Sequence, residues 1–288
     1  MEMVQNDLAP VRYINVLLDD WFKRIFGDES RSRLLLLALQ EIIPGRKIES
    51  LRYAPQEHTN PHKHKKSIRV DVECTDDQGR RFVVEMQLAP QHDFYERAIY
   101  NSTFGIQKQI PEGAKAYFFP TVYFIGIMNF SLHDHADRVR YHYKLREEQS
   151  GELMSDQLQY IFLELPNSVA RARKKESTIL ENFCYLLYKL PELDGLPEGI
   201  EPNELFNLLL ESTDFSTFAP EEKIKYLNDM TTERDLHNQI VYARDKGVEQ
   251  GIEQGVTQVA QQMLKMGMGA DVISEATGLS KEQIASLK

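Results

Sequence analysis

Two acidic residues and one amide stand out in this sequence, because their types and spacing suit the binding of a metal ion. They lie in IRVDVECTDDQGRRFVVEMQL (residues 68–88), where apolar and polar residues alternate on either side of the turn-forming stretch DDQGR. Since successive side chains of a strand point to opposite faces, this alternation predicts a β-hairpin. A hairpin centred on that turn pairs Val72 with Val84 and places Asp71 opposite Glu85, whereas a slip of one residue would pair apolar with polar positions.

The opposed carboxylates predict a site for a divalent metal. Cβ atoms of directly opposed residues lie about 4.5–5.5 Å apart, so Asp71 and Glu85 would repel each other unless a cation lay between them. Carboxylate, water and phosphate oxygens are typical Mg²⁺ ligands, with Mn²⁺ as the alternative. Gln87 shares the face of Glu85 and can orient a water or contact a phosphate, but its amide is neither an acid nor a base. The predicted chemistry is metal-assisted hydrolysis of a phosphodiester. The alternative is that these residues form the ordinary polar face of a half-exposed hairpin.

Helical patterns surround this hairpin on both sides in the sequence. Apolar residues recur at helical spacing over 11–43 in two segments, and again over 94–110. Further strands are predicted within 116–130 and 158–165, whereas helical patterns dominate after residue 170. The order predicts an α/β or α+β fold, with a mixed central sheet flanked by helices and a helical C-terminal region. We expect three parts: a core of residues 1–168, a helical region of 169–245, and a glycine-repeat helix with a small helical tail over 246–288. Within the tail, glycines predict helix breaks near 267–269 and at Gly278.

Composition and charge restrict the classes of protein that fit. The formal net charge of −10 argues against a protein that coats nucleic acid through overall charge, although a local basic surface can hold DNA beside an acidic metal site. The most apolar stretches, 34–39 and 116–128, are too short to span a bilayer, so no membrane partner is expected. Only two cysteines occur, Cys74 and Cys184, which favours the reducing cytoplasm over a disulfide-stabilised secreted protein.

Four segments of the chain, in this order and at suitable spacing, resemble the Rpn family of recombination-promoting nucleases, also named PD-(D/E)xK transposases. The segments are FKRIFGDE (22–29), KKSIRVDVECTDDQGRRFVVEMQL (65–88), FYERAIYNSTFGIQKQ (94–109) and PTVYFIGIMNF (120–130). The resemblance covers about the first 150 residues, and the repeated Gly-x-Glu-Gln of the tail is similar to the variable C-terminus of that family. It implies a restriction-endonuclease-like core and metal-dependent cleavage of DNA.

The resemblance also implies roles for individual residues. Asp71 matches the Asp of the motif, Glu85 matches its second acid, and these two with Gln87 are the implied catalytic residues. Gln87 stands where the wider superfamily has Lys, a departure that weakens a lysine-assisted mechanism, although E-x-Q is common in this family. Asp19 matches an acidic position on the first helix, and the resemblance implies that it is a metal ligand with Asp71 and Glu85. The alternative is an ordinary Asp on the helix surface.

Four basic residues are the expected contacts to DNA, namely Lys65, Lys66, Arg69 and Arg97. The histidines that precede them (58, 62 and 64) lack a helical or cysteine partner at zinc-binding spacing, so we expect a solvated basic loop there instead of a zinc site. In the tail, glycines recur every fourth residue at 247, 251 and 255, which permits close approach of two helices and hints at a homodimer.

Three functions are therefore compared. The leading hypothesis is a Mg²⁺-dependent endonuclease that cuts DNA and promotes recombination. The second is a DNA-binding or assembly protein whose nuclease site is weakened, and the neutral amide of Gln87 favours it. The third is a nuclease directed at RNA, which the sequence does not separate from the first.

Overall fold

The computed structural model of the 288-residue chain describes residues 11–54, 57–58, 68–107, 109–110, 113, 115–134 and 137–287. The chain divides after Ala219 into two compact units. The first unit contains all the strands that the structure describes, and the second consists of helices. The division expected at residues 168 and 245 stays a prediction.

A six-stranded mixed sheet forms the centre of the first unit. Its strands are β1 (Leu51–Tyr53), β4 (Val72–Asp76), β5 (Arg81–Gln87), β6 (Val122–Met128), β7 (Arg140–Arg146) and β8 (Leu153–Glu164), in the order β1-β4-β5-β6-β8-β7. The three central strands β5, β6 and β8 run parallel, and the outer strands pair antiparallel to their neighbours. Two short strands, β2 (Glu57–His58) and β3 (Ile68–Arg69), pair separately. The predicted fold class, a mixed sheet flanked by helices, is confirmed.

Both faces of the central strands are buried. Helix α3 (Phe94–Gln107) connects β5 to β6 and packs on the face that carries Val83, Phe124 and Phe162. On the opposite face Val72, Val84, Ile125 and Ile161 form one register row, in which every residue is at most 1% exposed. Two parallel strands need a crossover connection of about a dozen or more residues, and here the segment that contains α3 supplies it.

The other α-helices of the first unit form a cluster with a single central helix. These helices are α1 (Asp19–Phe26), α2 (Ser32–Ile42), α4 (Ile179–Lys189) and α5 (Glu204–Thr213), and α2 contacts each of the other three. The N-terminus of α4 is held by a capping box, in which Thr178 accepts from the Glu181 amide and Glu181 accepts from the Thr178 amide.

Two details differ from the sequence-based prediction. Helix α1 begins at Asp19 and not near residue 11, because Leu18 is extended, residues 16–17 form a turn and Tyr13 bridges to Asp214. Strand β7 was not predicted. Its sequence RYHYKLR has no continuous apolar face, because β7 lies at the edge of the sheet and pairs with β8 alone.

The second unit contains α6 (Pro220–Lys265), α7 (Ala270–Thr277) and α8 (Lys281–Ser286). A small core of Ala260, Ile273 and Ile284, one from each helix, holds the three together. The predicted helix breaks near 267–269 and at Gly278 are confirmed, and Gly278 ends α7 in the left-handed conformation (φ +73°) that glycine adopts without strain. None of the helices in the described part of the chain is long and apolar enough to cross a membrane.

Candidate active site

The hairpin of β4 and β5 has the register that the sequence predicts. Val72 pairs with Val84, so Asp71, which directly precedes β4, stands across from Glu85. The polar side of the hairpin, which the alternative interpretation places near solvent, is covered by α3, and Asp71, Glu85 and Gln87 are 7%, 4% and 8% exposed. Two acids that are both buried and opposed cannot be explained as an ordinary solvated strand face.

Each carboxylate has one oxygen fixed by the protein. The backbone amide of Met86 donates to Oδ2 of Asp71 at 2.8 Å, and Nδ2 of Asn101 donates to Oε1 of Glu85 at 3.0 Å. The second oxygens have looser contacts. Nε2 of Gln87 lies 3.5 Å from Oε2 of Glu85, at the outer limit of a hydrogen bond. The pair is therefore oriented but incompletely satisfied.

Helix α1 brings a cation and a further acid to Asp71. Nζ of Lys23 lies 3.2 Å from Oδ1 of Asp71 and 2.6 Å from Oδ2 of Asp19. Asp19 and Lys23 are four residues apart, which places them on one side of the helix. The opposite side of α1 is anchored by Trp21 and Phe22, both buried. The apolar side of the helix thus fixes where its polar side meets the hairpin.

Helix α3 supplies the partners of Glu85 in the same way. Arg97 and Asn101 are also four residues apart, and both reach Glu85, Arg97 with a terminal nitrogen 4.0 Å from Oε2. Arg97 additionally donates to Gln91 and is 40% exposed in its side chain. It lies where an incoming anion could reach both it and the carboxylate.

Burial raises the pKa of both acids. It is the main cause of the rise in the pKa of Asp71 to about 6, opposed by the Met86 amide and by Lys23. Burial also raises the pKa of Glu85 to about 7, and the nearby charge of Asp71 raises it further, against Arg97 and Asn101. When all groups are ionised, the three carboxylates of Asp19, Asp71 and Glu85 outnumber the two cations Lys23 and Arg97, so the site carries a net negative charge.

Another buried carboxylate at the same edge of the sheet, that of Glu164, has more hydrogen-bond donors than Asp71 or Glu85. Glu164 is in register with Gln87 across β6, and it is fully buried. Its oxygens accept from Nδ2 of Asn167 at 2.7 Å, from the ring of His133 at 2.7 Å, and from the amides of Leu132 and His133. A carboxylate with this many donors is a structural anchor for the loop after β6, unlike the Asp71–Glu85 pair.

The residues present fit a divalent metal through their chemistry. Proteins usually bind Mg²⁺ through one or two carboxylates, while water and phosphate oxygens complete the coordination shell. Asp71 and Glu85 can provide these two carboxylates. A cluster of three or more His, Cys, Asp or Glu side chains suited to a metal is absent from the residues that the structure describes. Asp19, whose side chain is 61% exposed, reaches the pair through Lys23.

The structure locates some of the predicted site residues and not others. Asp19, Asp71, Glu85, Gln87 and Arg97 belong to one hydrogen-bonded and charged network. Arg69 lies on β3, two residues before Asp71. Lys65 and Lys66, and with them the histidines at 62 and 64, lie outside the described residues.

Sequence reasoning missed two members of the network, Lys23 and Asn101. Each lies four residues after a residue that had been selected, Asp19 and Arg97 respectively, and each is on a predicted helix. Helical spacing from the selected residues was therefore the signal that would have found both.

Comparison with known families gives two matches. The model of the family described as PD-(D/E)XK nuclease family transposase matches residues 17–243, and that of the Rpn/YhgA-like nuclease family, C-terminal HTH domain, matches residues 254–288. The second match covers α7, the short turn at Gly278 and α8, and assigns this segment to a helix-turn-helix (HTH) domain. No curated protein and no solved structure matches.

Proposed function

We propose, from the premise that this chain belongs to the PD-(D/E)XK nuclease family transposases of Rpn type, that it is a Mg²⁺-dependent endonuclease hydrolysing phosphodiester bonds of DNA. One observation carries the proposal beyond the family: two buried carboxylates, Asp71 and Glu85, oppose each other with too little positive charge around them. Such a pair is stabilised by a dication, and a dication bound there leaves coordination positions for a phosphate.

Each residue of the site has a separate role in the proposed reaction. Asp71 and Glu85 would hold the ion through the oxygens that Met86 and Asn101 leave open, with Asp19 as a further carboxylate beside them. When bound, the ion polarises the phosphate and lowers the pKa of the attacking water. The Gln87 amide orients that water or a phosphate oxygen, and the half-exposed guanidinium of Arg97 binds the DNA backbone.

Further parts of the proposal rest on the family and on the sequence. We place Lys65, Lys66 and Arg69 with Arg97 as contacts to DNA, and the helix-turn-helix as a second element that meets DNA. Mn²⁺ is the alternative ion. Promotion of recombination, a location in the cytoplasm and a homodimer formed along the glycine repeat of α6 complete the proposal.

The test is nicking of supercoiled plasmid by the purified protein in Mg²⁺. We expect open circles and linear DNA from the wild type, and a loss of at least about 10²-fold for Asp71→Asn and for Glu85→Gln, each with a melting temperature no lower than that of the wild type. Glu148→Gln, which removes an exposed carboxylate from the turn between β7 and β8, is the matched control and should cut like the wild type. A structured single strand of RNA in a parallel reaction separates the DNA and RNA hypotheses.

A specific observation favours a second candidate, a DNA-binding or assembly protein with a weakened site. Gln87 is neutral and contacts Glu85 only at 3.5 Å, so the motif position itself supplies no charge. DNA binding without cleavage in Mg²⁺, Mn²⁺ or Ca²⁺ would select this candidate over the endonuclease.

A further inference from the structure

Gln87 is neutral, so its position does not provide the positive charge that a lysine would. Another residue of the site can provide that charge. Hydrolysis of a phosphodiester accumulates negative charge on the phosphate oxygens, and fixed cations near those oxygens lower the barrier. Arg97 stands 4.0 Å from Glu85 but is 40% exposed. Lys23 lies closer to its carboxylate, 3.2 Å from Asp71, and its side chain is only 12% exposed.

The position of Lys23 is set by the fold. It projects from α1, a helix anchored in the core by Trp21 and Phe22 on its other side. Its ammonium is hydrogen-bonded to Asp19 and ion-paired with Asp71. An ammonium group has three N–H donors, and these two acids account for two of them, so the third can be given to a phosphate oxygen. A buried cation held between two acids remains charged, and the pKa of Lys23 is indeed raised, since Asp19 and Asp71 outweigh the effect of burial.

We propose that Lys23 is a catalytic residue, whose ammonium binds a non-bridging oxygen of the scissile phosphate and supplies from α1 the positive charge that Gln87 lacks. The inference rests on the proposed nuclease function. In the reaction the water oxygen bonds to phosphorus while the bond from phosphorus to the leaving sugar oxygen breaks. The water loses a proton to solvent and the leaving oxygen takes one from solvent. Lys23 keeps its proton throughout, and only its charge and one N–H act.

The rival role for Lys23 is structural. In that case its ammonium merely neutralises Asp71 in the absence of a metal, and the ion displaces it. The two roles differ in what removal of the charge does to cleavage. Loss of a catalytic ammonium slows cleavage while Mg²⁺ still binds, whereas loss of a competing ammonium tightens Mg²⁺ binding and does not slow cleavage.

The experiment compares plasmid nicking by the wild type, by Lys23→Met and by Lys23→Cys alkylated in two ways. Bromoethylamine restores an ammonium at nearly the length of lysine, whereas iodoacetamide adds a neutral amide of similar size. The native thiols of Cys74 and Cys184 are fully buried, so modification is expected at the new thiol, and its extent is read by mass spectrometry. Melting temperature and its rise on adding Mg²⁺ are recorded for every form, to show that each is folded and still binds the ion.

We expect Lys23→Met to lower the rate constant of cleavage about 10²-fold, with little change in DNA affinity. The aminoethylated protein should recover at least tenfold of that loss and the amide-modified protein none, a difference that a packing role would not produce. Cleavage by Lys23→Met at the wild-type rate, or equal recovery by both adducts, overturns the role of Lys23 and leaves the nuclease in place. A wild-type protein that cuts no DNA overturns the proposed function and this inference together.

Discussion

The buried acids of this chain are distinguished by what surrounds each one. Glu164 accepts four hydrogen bonds and Asp76 is paired with Arg80, so both are satisfied by the protein itself. Asp71 and Glu85 instead face each other and have fewer close donors: the Met86 amide and Lys23 for Asp71, and Asn101 with a long contact from Gln87 for Glu85. Burying a charge without full compensation costs free energy, which a site that exists to bind a cation recovers on binding.

This difference predicts an unusual dependence of stability on pH. Because the pKa values of Asp71 and Glu85 are raised in the folded protein, to about 6 and about 7, the folded state holds more protons than the unfolded state between about pH 4 and pH 7. The free energy of unfolding therefore falls as pH rises through this window, and the penalty is complete above pH 7. Glu85→Gln should remove the part of this penalty that comes from Glu85, on the order of 3 kcal/mol at most, and so raise the melting temperature at pH 8 but not at pH 4.

The effect of Mg²⁺ on the melting temperature is a second test of the acidic pair, and it does not depend on activity. At pH 8 the ion should raise the melting temperature of the wild type and not that of Glu85→Gln. The exposed-site variant Glu148→Gln is the control and should respond like the wild type. A wild type that is as stable at pH 8 as at pH 5, and indifferent to Mg²⁺, would contradict the interpretation of the pair as a cation site.

At the scale of elements, the site is an assembly of one hairpin and two helices. The hairpin contributes Asp71 and Glu85, whereas α1 and α3 each contribute a pair of residues at a spacing of four. Helix α3 must lie close to the sheet for Asn101 to reach Glu85. The strand residue beside Glu85 permits this, because Gly126 on β6 has no side chain.

Gly126→Ala should therefore disturb both stability and site geometry. An added Cβ would lie 2.9 Å from the ring of Phe162 and 3.1 Å from that of Phe94, so α3 must shift or the rings must turn. We expect a loss of about 1–3 kcal/mol in the free energy of unfolding, measured by denaturant titration, and slower nicking in the same protein.

The matched control for this substitution is Gly195→Ala, where an added Cβ would meet only Nη1 of Arg12 at 3.9 Å, an ordinary contact distance. Gly195 has no positive φ, and alanine at such a position restricts the unfolded chain, so this variant should be neutral or slightly more stable, by about 0.4–1 kcal/mol. Equal stability of the two variants would show that the close approach of α3 to β6 is not required.

At the scale of the whole molecule, the candidate active site and the helix-turn-helix belong to different units. Every residue of the candidate site lies before Ala219, and the helix-turn-helix lies in the unit that begins at Pro220. That motif has little positive charge of its own. Over 270–287 its acids, Asp271, Glu275 and Glu282, outnumber Lys281, which is itself paired with Asp271.

A chain that ends at Ala219 should consequently retain Mg²⁺-dependent nicking. Affinity for DNA depends on cations that replace the counterions of the phosphates, and the acidic tail offers few. We expect the truncated protein to cut within about tenfold of the full-length rate at low salt, and Glu85→Gln in the same truncated chain to be inactive. A folded truncated protein without activity would show that the second unit takes part in the reaction.

The amino-acid sequence alone determined the register of the hairpin and the ends of the helices in the tail. The alternation of residues 68–88 was enough to set the hairpin register, because only one register keeps the apolar residues together on one face. The glycines at 267–269 and 278 marked the ends of helices in the tail for a similarly local reason. Local patterns predict what depends on neighbours in sequence.

Only the tertiary structure decided which of the marked residues meet, and how strongly their charges are felt. That Lys23 approaches Asp71 and Asn101 bonds to Glu85 follows from where α1 and α3 dock on the sheet, and docking depends on packing between residues far apart in sequence. The same packing covers the polar side of the hairpin, for which alternation alone left a half-exposed face as the alternative to a metal site. Burial is a property of the assembled fold, and here it raises the pKa of both opposed acids.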